Sequence, residues 1–253
     1  MAFYELSKAE RVKVVDKIGH EIQVEFENGS TVRIIRLFSD DDTYIRKAAY
    51  QSVGKIYRQN KYLQSKILDV LFTFMSNNNE KVRQTTINAV GEIGKSDFER
   101  VTTFFDKALF DEHHSVRNAV IGSLKKMIKN NPKPILIWAE GYIENDDAEI
   151  RREICHGIEL RGRQSPGDIL PLLKKLQFEE KARVRNTLIH VLGQISYKKD
   201  CLRTVISELN NWDNNKVVKD AIVEIIDVHK RYEKFAYLSQ KQAIEYIENN
   251  LAN

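Results

Sequence analysis

Cysteine is nearly absent. Cys155 and Cys201 are the only two in 253 residues, too few for a disulfide framework and in keeping with a reducing compartment. No apolar run approaches the roughly 20 residues needed to span a bilayer, and the opening Met1-Ala2-Phe3-Tyr4-Glu5-Leu6 has no apolar leader core. Proline is limited to four positions. Excess charge of one sign is also missing: 40 basic residues face 36 acidic ones, for a net +4. That excludes a histone-like basic polymer, so a nucleic-acid role has to come from where the charges stand. There is no phosphate-cradling GxxxxGKS/T, no GxGxxG, no HExxH and no GxSxG. The sequence therefore predicts a cytoplasmic protein without a cofactor, and favours a monomer.

What is present is a repeat. An apolar residue followed by a base recurs as Ile45-Arg46, Val82-Arg83, Val116-Arg117, Ile150-Arg151, Val184-Arg185 and Val218-Lys219. The bases are 37 residues apart once and then 34 apart four times, a period typical of helical repeat arrays. Three positions on stand Ala49, Thr86, Val120, Ile154, Leu188 and Ile222; seven on stand Val53, Val90, Leu124, Ile158, Leu192 and Ile226. Four on stand Tyr50, Ile87, Ile121, Cys155, Ile189 and Val223. Positions three, four and seven share one face of a helix, which must be buried. Cys155 is accordingly a small core residue.

Each of these B helices follows an acidic or polar turn, such as Asp40-Asp41-Asp42, Asn77-Asn78-Asn79 or Asn145-Asp146-Asp147, suited to helix N-termini. Upstream of each turn lies another apolar-periodic segment, the A helix, including 63–75, 98–110, 134–143 and 169–178. Pro132, Pro134, Pro166 and Pro171 fall between units or at A-helix starts, where proline is tolerated. The repeat base itself is expected to reach a turn carboxylate of the neighbouring unit. The pattern predicts an all-α, right-handed solenoid of six HEAT-like helical hairpins over residues 39–253, closed by a helix over 239–251, with residues 1–38 as an N-terminal cap and one structural domain overall.

Within the cap, 7–18 reads as a helix. Ile22, Val24 and Phe26 then alternate with Glu21, Gln23, Glu25 and Glu27 ahead of Asn28-Gly29. Alternation around Asn-Gly is the strongest short-range signal for a β-hairpin, which would put Asn28, Gly29 and Ser30 at its tip. The competing reading starts a helix at Ser30 and runs it over 31–38.

The opposite face of each B helix carries positions one, five, eight and twelve after the base. Through five repeats these are Lys47, Gln51, Gly54, Arg58; Gln84, Asn88, Gly91, Lys95; Asn118, Gly122, Lys125, Lys129; Arg152, His156, Glu159, Arg163; and Asn186, His190, Gly193, Tyr197. Glu159 is the one carboxylate among these twenty positions. The sixth repeat instead gives Asp220, Glu224, Asp227 and Arg231. Donor side chains around glycines suit a nucleic-acid backbone pressed close to the helices. The bland alternatives are that cations sit near helix C-termini because the dipole favours them there, and that glycines merely allow helices to pack. His156 and His190 share a column, but no further ligand converges on them in the sequence, so no metal is expected.

The segment from Asp168-Ile169-Leu170-Pro171 through Ala182-Arg183-Val184-Arg185-Asn186-Thr187-Leu188-Ile189-His190, together with 202–225 and Leu238-Ser239-Gln240-Lys241-Gln242-Ala243-Ile244, resembles the HEAT-like-repeat DNA glycosylase superfamily of AlkC/AlkD-type alkylpurine repair proteins. The resemblance implies DNA held in a basic groove, and in the active enzymes a carboxylate, an arginine and tryptophans on the inner helices. Trp138 and Trp212 lie off that face, and Glu159 is its one carboxylate outside the last repeat. A branch of the superfamily, AlkF/AlkG, is implied to bind branched DNA without base excision and to carry an extra β-hairpin, which the segment 21–34 would supply. The expected function is thus DNA binding, to duplex or to three-way and four-way junctions, through Lys47, Arg58, Asn88, Lys95, Asn118, Lys125, Lys129, Arg152, His156, Arg163, Asn186, His190 and Tyr197. One rival is a glycosylase for alkylated purines using Glu159 with Tyr197 or the histidines. The other is a HEAT-repeat protein scaffold.

Overall fold

A computed structural model of the chain describes residues 3–251. Among the described residues every regular element is helical. The chain divides into two compact units, Met1–Asn131 and Pro132–Asn253. The first contains α1 (Lys8–Asn28), α2 (Val32–Phe38), α3 (Thr43–Gln59), α4 (Gln64–Phe74), α5 (Glu80–Gly94), α6 (Thr102–Leu109) and α7 (His114–Met127). The second contains α8 (Pro132–Glu140), α9 (Ala148–Gly157), α10 (Glu159–Gly162), α11 (Leu170–Lys174), α12 (Ala182–Ser196), α13 (Cys201–Leu209), α14 (Asn215–Arg231) and α15 (Gln240–Asn250). No helix is long and apolar enough to cross a membrane among the described residues.

In the first unit α1, α3, α5 and α7 pack side by side; in the second α9, α12 and α14 do the same. The apolar columns explain this packing. Ala49, Val53, Val90, Val120 and Leu124 are fully buried in the first unit, and Ile154, Ile158, Leu188 and Leu192 in the second. Cys155 is a buried core residue as expected. Position four is split: Ile87, Ile121 and Cys155 are buried, Tyr50 and Ile189 half-buried and Val223 exposed. The buried stripe of α14 is Val218, Ala221, Ile225 and Val228, one position off the register of the earlier repeats.

The turns before the B helices share one device. The side chains of Asp40, Asn77, Asp111, Asn145 and Glu179 each accept the amide hydrogen bond of the residue two places on. The backbone carbonyl of each of the same five residues accepts a bond from the repeat arginine six places on, namely Arg46, Arg83, Arg117, Arg151 and Arg185. The arginine thereby satisfies turn carbonyls that would otherwise be orphaned. Arg83 and Arg151 realise the expected reach to a neighbouring carboxylate. Arg83 makes a two-pronged contact with Asp111 at 2.8 and 2.9 Å, and Arg151 with Glu179 at 2.6 and 2.9 Å. Asp42, Asn79 and Asp147 cap α3, α5 and α9, and Ser239 caps α15 through a full capping box.

The predicted β-hairpin is absent: α1 continues from Lys8 through Asn28, and α2 follows over Val32–Phe38. The competing helical reading of 31–38 is the one realised. Asn28-Gly29 ends a helix rather than turning a hairpin, with Gly29 in the left-handed conformation at φ 78° as the C-cap. Consequently Asn28, Gly29 and Ser30 form no projecting tip; Asn28 ends α1, and Gly29 and Ser30 sit in the α1–α2 turn. Tertiary packing decides the matter. Ile18, Ile22 and Phe26, spaced by four, are all buried, whereas Val24, which a strand would place with Ile22 and Phe26, is only half-buried. Glu25 has turned inward as well, 5% exposed. Its carboxylate accepts bonds from the backbone of Arg33 (2.8 Å) and Ile34 (3.2 Å) and from the Ser30 hydroxyl (3.0 Å). It supplies the N-terminal cap that Thr31 does not provide. The helix predicted over 7–18 exists within α1, but Val12 and Val15 lie on its exposed side.

Candidate nucleic-acid interface

Two of the three repeat helices of the first unit contain no carboxylate. Neither α3, from Thr43 to Gln59, nor α7, from His114 to Met127, has an Asp or Glu. Lys47, Gln51 and Arg58 are exposed on α3, and Asn118 on α7; Lys129 is exposed just past the end of α7. Arg58 also donates to the carbonyl of Glu92 at 3.2 Å. Lys47, Tyr50, Gln84 and Asn88 line a shallow depression of about 280 Å³. Asn88 donates to the Gln84 carbonyl at 3.0 Å and Gln84 to the Ser115 carbonyl at 3.3 Å. Lys125 is half-buried.

One acid was missed by counting columns. Glu92, nine positions after Arg83, is 5% exposed and ion-paired to Lys95, with Lys126 at 3.9 Å. Lys95 is thus a neutralised residue, not a bare cation on the helix face. Position nine borders the counted face, and only the packing of α3 on α5 brings its carboxylate in.

In the second unit the expected site residues form an ion-pair network. Arg152 pairs with Glu149 at 2.9 Å and lies 3.6 Å from the buried Glu153. Arg163 binds Glu159 at 2.5 Å and the Gln194 side-chain oxygen at 2.7 Å. Glu159 is 2% exposed and also lies 3.2 Å from the His156 ring. His190 lies 3.8 Å from Glu224, which binds Arg231 at 2.6 Å. Asn186 is exposed. Tyr197, expected on the binding face, is 4% exposed and stacks on Tyr232 with ring centroids 5.3 Å apart, while Arg163 and Lys198 lie over its ring. It is a buried anchor for two cations. The expectation that no third ligand joins the histidines is also corrected: Glu159 stands among them. Trp138 and Trp212 are buried in α8 and in the turn after α13.

The glycines serve packing at three of the four predicted positions. A Cβ on Gly54 would stand 2.5 Å from Cβ of Glu92, one on Gly91 2.6 Å from Cβ of Ser123, and one on Gly193 2.7 Å from Cγ of Glu224. They let helices, rather than a ligand backbone, come close. Gly122 is the exception, with open space around it. Gly91→Ala should therefore cost about 1–3 kcal/mol by overpacking, because Ser123 is held by its bond to the Ile87 carbonyl. Gly122→Ala should add about 0.5–1 kcal/mol by removing a flexible helix position. Urea unfolding of the two variants should show these opposite signs.

The chain matches the family described as HEAT repeats over residues 30–125. No curated protein sequence matches it. Among solved structures it is similar to AlkD2 from Streptococcus mutans, with a TM-score of 0.57 and 20% identity over 76% of this chain and 95% of that one. It is also similar to smu.31 from Streptococcus mutans UA159, with a TM-score of 0.58 and 20% identity over 76% of this chain and 98% of that one. At this identity the likeness establishes an all-helical HEAT-repeat fold of the AlkD type.

Proposed function

We propose that the chain binds DNA through the polar faces of its B helices, by contacts to the phosphate backbone, and does not excise bases. The observation that carries the reading is the absence of any carboxylate from α3 and α7, in a chain with 36 acids. Lys47, Gln51, Arg58, Asn118, Lys129 and Asn186 are exposed donors on or next to these faces. The resemblance of residues 168–190 to the DNA glycosylase superfamily points the same way. Backbone contacts of this type carry no base information.

Base excision needs stabilisation of the positive charge that develops on the sugar, and a nearby carboxylate is the usual device. Glu159 is the candidate, but it is buried and compensated by Arg163, which weakens its field at any bound nucleotide. The AlkF/AlkG-like preference for branched DNA loses its hairpin, so duplex is the proposed ligand. The test has two arms: fluorescence anisotropy with linear and four-way DNA, and single-turnover release of 3-methyladenine and 7-methylguanine from methylated duplex. Binding to linear duplex and release at the spontaneous rate are expected. Release well above that rate, abolished by Glu159→Gln in a folded variant, would restore the glycosylase reading.

A further inference from the structure

His156 and His190 come from neighbouring repeats, 34 residues apart, and Glu159 reaches the same point from the start of α10. We propose that His156, Glu159 and His190 form a binding site for one divalent transition-metal ion of the zinc class. The ligating atoms of the three residues all lie within 4.8 Å of one another. His156 Nε2 and Glu159 Oε2 are 3.2 Å apart. Bonds of 2.0–2.1 Å in tetrahedral geometry put neighbouring ligands about 3.3 Å apart, so this edge already has the required length. The widest separation exceeds it by about 1.5 Å, a distance an imidazole covers by a small rotation about its side-chain bonds. The histidines have room to rotate, with side chains 32% and 45% exposed, whereas the Glu159 side chain is 2% exposed and held by Arg163. The fixed carboxylate serves as the anchor and the two rings close on the ion.

A helical ion pair accounts for His156 beside Glu159, three residues on; it does not account for His190, which belongs to α12. Two histidines and one glutamate form a donor set known from zinc sites that keep an open coordination position. The two half-buried rings would leave that position on the solvent side. Glu224, 3.8 Å from His190 Nδ1 and fixed by Arg231 at 2.6 Å, is placed to orient the imidazole, as carboxylates commonly do behind metal-bound histidines. The Arg163 guanidinium opposes a second cation, so affinity should fall below that of closed four-ligand sites. Because the imidazoles bind as neutral rings, affinity should also fall on acidification.

The site is independent of the DNA reading, and its test contains no DNA. The untagged, chelator-stripped full chain is titrated with Co²⁺, the visible absorption is recorded, and Zn²⁺ is added as competitor. One equivalent should bind with the intense visible band of four-coordinate cobalt and be displaced by zinc. His156→Ala and His190→Ala should each weaken binding at least about tenfold, with helical content unchanged. Changing His113 and His114, which stack on each other elsewhere in the chain at 4.8 Å, to Ala should have no effect. Absence of binding below about 100 µM (roughly −5.5 kcal/mol), or binding undiminished in both of the first two variants, would overturn the proposal.

Discussion

Arg83→Ala should lower the stability of the protein by about 3–5 kcal/mol, the cost of leaving a buried charge without its partner. Arg83 and Asp111 have side chains only 8% and 9% exposed, and the guanidinium also binds the carbonyls of Asn77 and Asn78. Removing it uncovers a carboxylate and two acceptors together. Arg185→Ala is the control. That arginine binds turn carbonyls alone, at 3.4 and 3.3 Å, and its loss should cost about 1 kcal/mol.

The Arg83 contact also has a pH signature. Burial acts to raise the Asp111 pKa, but the Arg83 hydrogen bonds, the His113 amide and the nearby positive charges outweigh it and hold the carboxyl below its ordinary value of 3.8. In Glu179 the Arg151 hydrogen bond leads the same downward shift, from 4.5. A carboxyl depressed in the folded state stabilises above its unfolded pKa, and that contribution is lost as pH falls through the folded value. Stability should hold from neutral pH to about 5 and decline below about 4. Asp111→Asn should flatten part of that decline. Denaturant midpoints for the wild type and the three variants across this range check each statement. An Arg83→Ala variant no less stable than Arg185→Ala would show that the ladder's carboxylate contacts are dispensable.

The second large effect concerns DNA. Exchanging Lys47 and Lys129 together for Glu should weaken duplex binding on the order of 10- to 100-fold at low salt, uniformly over sequence. These two lysines are chosen because both are exposed and neither makes an ion pair among the described residues. Lys95 and Arg163 are unsuitable despite their place in the columns. A glutamate at 95 would face the buried Glu92, and one at 163 would face Glu159, so lost binding could not be told from lost folding. Circular dichroism should show unchanged helix content for the Lys47→Glu, Lys129→Glu variant. Unaltered affinity would move the binding surface off α3 and the end of α7.

The repeat was readable because its period survives in residues that the core and the turns both require. Val53, Val90 and Leu124 recur because each fills the same layer, and the arginines from 46 to 185 recur because each closes the same turn. The N-terminal segment misled because Ile22 and Phe26 satisfy both a two-residue and a four-residue period. The half-buried Val24 and the inward Glu25 break the tie, and both depend on packing against other elements. The binding face was half legible. Its columns are real, but the charge on them cannot be counted along one helix. Glu92 and Glu153 come from bordering positions and Glu224 from the next repeat, and they neutralise much of what the columns supply. The glycines in those columns answer to neighbouring helices, a cause that spacing alone does not reveal.

The central claim is tested most directly by the salt dependence of duplex binding to the unmodified chain. With few unpaired cations on the B-helix faces, about three to five phosphate contacts are expected, each contributing about −0.9 to the slope of log K against log salt. Anisotropy of a labelled duplex between 50 and 200 mM salt should give a slope of about −2.7 to −4.5. No binding at the lowest salt, or an affinity indifferent to salt, would contradict a DNA-backbone function for this fold.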